Sequence, residues 1–149
     1  MNKRMLLVGS AAGVVGFLVG WVLLGLLFTR YYESHAVRYT EMIRPAAEVN
    51  LMGLFLAALL FGLILGWAGW RMGVSSFSTG TATGGIIGFL AYASTELFFF
   101  PMVNMFASTD ILLGDLLANT LWAACMGGLA GLMLLKSSNR YRGNVAVYQ

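Results

Sequence analysis

The sequence predicts an all-α membrane protein, a four-transmembrane-helix bundle built as a duplicated helical hairpin. Three observations predict it. The 149 residues are 59% hydrophobic and only 10% charged, where a soluble domain carries roughly 25% charge. The apolar residues gather into four long stretches, and in each stretch glycines recur four residues apart. A water-soluble fold of this length has too little interior to hide so much apolar surface, so the whole chain reads as one transmembrane domain.

The first span is expected over residues 5–28, without a charge in it. It exceeds the roughly 20 residues that cross about 30 Å of hydrocarbon. Lys3, Arg4 and Arg30 flank it as they would a signal peptide, but the apolar run is too long for one and no small-residue cleavage site follows. The second span is expected over 49–70, with Pro45 in its first turn and Glu48 near the positive end of its dipole. The third, over 80–100, is the least apolar, with Thr81, Thr83, Ser94, Thr95 and Glu96 in it; such a helix prefers protein neighbours to lipid. The fourth is expected over 111–135, with Ser108, Thr109 or Asp110 available as N-cap.

Orientation follows from the basic residues. Lys3, Arg4, Arg71, Lys136, Arg140 and Arg142 fall on one side, against Arg30, Arg38 and Arg44 on the other. Six against three places both termini in the cytoplasm. The first outer loop carries Tyr32, Ala36, Tyr39 and Ile43 at helical spacing, which predicts a short surface helix anchored by aromatics, interrupted at Pro45.

The halves align. Gly13-Val-Val-Gly-Phe-Leu18 matches Gly85-Ile-Ile-Gly-Phe-Leu90, and Leu51-Met-Gly53 matches Leu112-Leu-Gly114, continuing through Leu60/Leu121 and Gly66/Gly127. Repeats over about 5–70 and 80–135 would enter from the same side, a parallel repeat about an axis along the membrane normal. The pairs Gly9/Gly13, Gly16/Gly20, Gly62/Gly66 and Gly127/Gly131, with the trio Gly80/Gly84/Gly88, each line one helix face. Small residues there let backbones approach closely. Those faces serve the bundle itself, an oligomer or a larger assembly.

Polar chemistry concentrates near the outer side. Glu96 lies one turn from the end of span three and Asp115 one turn into span four, both about 6–8 Å deep. Asn119 and Tyr92 lie one turn deeper on the same faces, and Asn50 heads span two at similar height. An ionised acid in hydrocarbon costs a few kcal/mol even on lenient scales, on the order of 3, so each needs a proton, a partner or a polar cavity. Both acids belong to the second repeat alone, opposite Leu24 and Leu54. Three readings stand: a hydrogen-bonded structural lock, proton or cation handling in a small permease, and a metal or ligand site with His35 and Glu48.

No catalytic set is expected. There is no nucleophile elbow, zinc-protease helix or phosphate-binding loop, and no basic stretch for nucleic acid. One cysteine, Cys125, and one histidine, His35, allow no internal disulfide and leave little for a metal. The segment from Arg44 to Asn50 is similar to the signature of the four-span glutathione-handling transferases, but its spacing differs and spans three and four hold no arginine. The span layout, Gly84-Gly85-Ile-Ile-Gly88 and Met126-Gly-Gly128 resemble small uncharacterised four-span proteins of bacterial inner membranes. That resemblance implies a multi-pass location there and no catalytic residues. The expected role is structural: a self-associating bundle or a subunit of a larger membrane complex, with lipid and other membrane chains as partners and no cofactor. The alternative is a small permease or channel using Glu96 and Asp115.

Overall fold

The computed structural model describes residues 3–23, 48–102 and 108–146. Four helices lie among them: α1 (Lys3–Val22), α2 (Leu51–Arg71), α3 (Phe77–Phe99) and α4 (Thr109–Ala146). Each is long and apolar enough to cross a membrane, and the described chain is all-helical, as a multi-pass membrane protein would be. The apolar run of α4 ends at Leu135, before Lys136, while the helix runs on to Ala146, about 16 Å further. The surface helix expected over residues 32–43 lies outside the described residues, with Arg30, His35, Arg38, Arg44 and Pro45.

Local hydrogen bonds set two helix starts away from where the apolar runs place them. Asn50 caps α2, its side-chain oxygen accepting from the Gly53 N–H at 3.0 Å. Glu48 therefore lies two residues before the cap, ahead of the helix's positive end. α3 begins earlier than the expected Gly80, because Ser76 and Thr79 form a reciprocal capping box. The Ser76 hydroxyl accepts from the Thr79 N–H at 3.1 Å, and the Thr79 hydroxyl accepts from the Ser76 N–H at 3.2 Å. Such a pair satisfies two backbone donors that a helix start leaves bare.

The α2–α3 connection is a tight stop. Val74 N–H reaches the Gly69 carbonyl at 2.8 Å, and Gly73 N–H points at the Trp70 carbonyl at 3.4 Å. Gly73 takes φ +68°, the left-handed value that lets a helix end in this double bond and that a side chain disfavours.

Packing divides the molecule into two antiparallel pairs, α1 with α2 and α3 with α4; α4 also touches α1 and α2, whereas α3 meets α2 only lightly. Glycine lets the paired backbones meet. A Cβ at Gly13 would stand 2.6 Å from Leu59 Cα, one at Gly62 would stand 2.6 Å from Gly13 Cα, and one at Gly66 would stand 2.7 Å from Gly9 Cα. In the second pair, Gly84 and Gly127 leave no more room: a Cβ on either would stand 2.8 or 2.7 Å from the other's Cα. Gly131 lies against Gly80 and Ser76, and Gly88 against Ala123. Gly16 and Gly20 face the other pair, beneath the Met126 and Trp122 side chains of α4. These glycine faces are thus occupied within the chain.

The core follows the same plan. Ala58, Leu65, Trp122, Ala123 and Met126 form one buried cluster where α2 and α4 meet, with Phe17 of α1 packed against it. Val8, Ala12, Ala130 and Leu134 form a second between α1 and α4. Met126 is fully enclosed. α4 is the axis of the bundle.

Candidate functional site

The only strongly polar interior among the described residues lies toward the end of the bundle where α1 and α3 finish and α2 and α4 begin, called here the distal end. Glu96 stands three residues before the close of α3, about 5 Å along the axis. Asp115 stands six residues into α4, about 9 Å along it. Because α3 and α4 run antiparallel in close contact, the two side chains meet, and the Asp115 carboxyl interacts directly with that of Glu96. Glu96 is 7% exposed. Neither of its oxygens accepts from a hydroxyl, amide or cationic donor; the Asp115 carboxyl stands within hydrogen-bonding reach of it.

Asn119 extends the cluster one turn deeper. Its Nδ2 donates to Asp115 Oδ2 at 3.0 Å and to the Asp115 carbonyl at 3.1 Å. This fixes the amide and leaves its Oδ1 as an acceptor. Tyr92, one turn below Glu96, is within electrostatic range of both acids. Thr95 and Thr120 spend their hydroxyls on carbonyls of their own helices, Ala91 at 2.9 Å and Leu116 at 2.7 Å. Asn50 is exposed and engaged in capping, and Glu48 is exposed beside it. The structure therefore gathers Glu96, Asp115, Asn119 and Tyr92, while the described bond of Asn50 goes elsewhere. Among the described residues no three His, Cys, Asp or Glu side chains converge as for a metal.

No family model, no curated protein and no solved structure matches this chain.

Below the acids, Trp122 ties the two helix pairs together, a role that sequence reasoning missed. Its Nε1 donates to the Gly16 carbonyl of α1 at 2.7 Å. The indole stacks on Phe61 of α2 with ring centres 5.3 Å apart and meets Tyr92 of α3 edge-on at 6.4 Å. A single side chain thus touches all three other helices. The signal was present: tryptophan favours the interfaces of a membrane, yet this one lies about 20 Å into its helix, where its N–H needs a protein acceptor.

Asn119 should hold Asp115 in place. Asn119→Ala is expected to lower stability by about 1 kcal/mol, the net value of a typical intramolecular hydrogen bond, read as an earlier midpoint in detergent-induced unfolding. A midpoint identical to the parent's would remove Asn119 from the network.

Proposed function

We propose that the chain is a non-catalytic membrane bundle that works by association, with copies of itself or as a subunit of a larger complex in a bacterial inner membrane. The observation that carries this reading is the situation of α3. It is the least apolar of the four helices, with mean hydropathy 1.2 against 2.3 for α2, yet only 17% of its apolar window is buried, against 50% for α4. Ala91, Ser94 and Thr95 share one exposed face of it, and Ala82 is exposed as well. Lipid gains nothing from small and hydroxyl side chains, whereas a neighbouring helix packs closely on them. The glycine faces are used inside the chain, so α3 is the surface left for a partner.

Both termini face the cytoplasm in this reading, on the distribution of Lys and Arg. A duplicated hairpin is part of it. Gly13 crosses Gly62 in the first pair and Gly84 crosses Ala123 in the second, and the sequence alignment sets Gly62 against Ala123. It sets Gly13 against Gly85, however, so the corresponding contact on α3 falls one residue earlier.

Native mass spectrometry from mild detergent tests association. Ser94→Cys in a Cys125→Ala background tests the face, since Cys125 is itself exposed. The expected result is a multimer or a copurifying subunit, together with efficient crosslinking through residue 94. A strictly monomeric chain with no companion and no crosslink would overturn the proposal.

A further inference from the structure

The distal carboxyl pair has chemistry that a packed bundle does not need. Glu96 is nine-tenths buried, both its oxygens lack a hydroxyl, amide or cationic donor, and it stands against a second carboxyl. A carboxyl that merely locks helices together is expected to accept bonds from the hydroxyls and amides around it. Here Thr95 and Thr120 bond their own helices instead. The Asn119 amide nitrogen is committed to Asp115, which leaves its carbonyl oxygen as an acceptor, and Tyr92 lies within electrostatic range of both acids.

We propose that Glu96 and Asp115, with Asn119 Oδ1 and the Tyr92 hydroxyl, bind a divalent, oxygen-loving cation at the distal end of α3 and α4. The donor set is entirely oxygen, without sulfur or imidazole. That is the preference of calcium- and magnesium-type ions rather than of zinc or copper. Two carboxylates match a double positive charge, and the low dielectric around them strengthens the attraction relative to water. The cation would join α3 to α4 where Phe99 and Thr109 end and begin the two helices. Its binding is independent of whether the chain associates.

The test uses the full chain in neutral detergent, titrated separately with calcium, magnesium and sodium and followed by thermal melting. Terbium(III) serves as a luminescent stand-in for calcium, excited through Tyr92 and Trp122, whose rings lie 6.4 Å apart. The expected result is saturable stabilisation by a divalent ion, little by sodium, and terbium emission that the same divalent ion displaces. Glu96→Gln and Asp115→Asn should each weaken binding about tenfold or more, because affinity at such sites follows ligand charge. Asp110→Asn, at an exposed acid at the start of α4, should leave it unchanged. Near-ultraviolet circular dichroism of the Trp122 cluster verifies that each variant is folded. No saturable response in the parent chain overturns the proposal, as does a response that survives in both folded variants or disappears only with Asp110→Asn.

Discussion

Gly84→Ala is expected to loosen the α3–α4 pair severely, while Gly85→Ala, one residue along, leaves it intact. The added methyl at residue 84 would meet Gly127 Cα at 2.8 Å, with the Ala123 carbonyl closer still. Both neighbours are backbone, so no flexible side-chain end can give way and the helices have to separate. Overpacking of a tight core costs about 1–3 kcal/mol, and contact with backbone on the far side places this change at the upper end. At residue 85 the nearest atom is the Ala124 Cβ at 3.6 Å, an ordinary contact. Alanine there also favours the helix by up to about 1 kcal/mol over glycine. Unfolding midpoints of the two variants in a detergent titration should differ widely, with Gly85→Ala at or above the parent. Coincident midpoints would show that the backbones do not touch where the structure has them touch.

Trp122→Ala should do comparable damage by a different route. Removing a buried tryptophan costs about 3–5 kcal/mol, and here it empties the space among Phe61, Tyr92 and Gly16 at once. Each helix pair keeps its own glycine contacts. The expected result is separation of α1 from α4, read by spin-label distances, with helical content preserved. Trp122→Phe retains a ring to stack on Phe61 but has no donor for the Gly16 carbonyl, so it should cost about 1 kcal/mol, a usual value for an interhelical bond in a membrane. A folded Trp122→Ala variant with the parent's α1–α4 distance would remove the indole from its linking role.

The four helices were legible because each needs about twenty apolar residues in succession, a requirement that sequence displays directly. Their starts were less so. The onset of α2 depends on which polar residue turns back to its own backbone, and Asn50 does this for the Gly53 N–H. The box at α3 escaped notice because Thr79 replaces the usual Glu or Gln of that motif. Glycine spacing announces a face of close contact on every helix without naming its partner. That Gly16 lies under Met126, while Gly13, three residues before it, lies against α2, is decided by how the helices cross. The heights of Glu96 and Asp115 follow from counting residues, but their meeting depends on α3 lying against α4. Whether the amide of Asn119 turns to Asp115 or to Glu96 is a matter of side-chain geometry that no spacing encodes.

The place of α4 as the axis has a consequence for biogenesis. Ribosomes deliver the spans in chain order, so α1 and α2 can join while translation is still under way. α3 then enters the bilayer as an orphan: it is the least oily of the four, it touches α2 only lightly, and its principal companion is not yet made. Until α4 arrives, its glycine stripe and Glu96 lie bare to lipid or to the insertion machinery. The nascent chain is therefore most exposed to quality-control proteolysis in the interval between the third helix and the fourth.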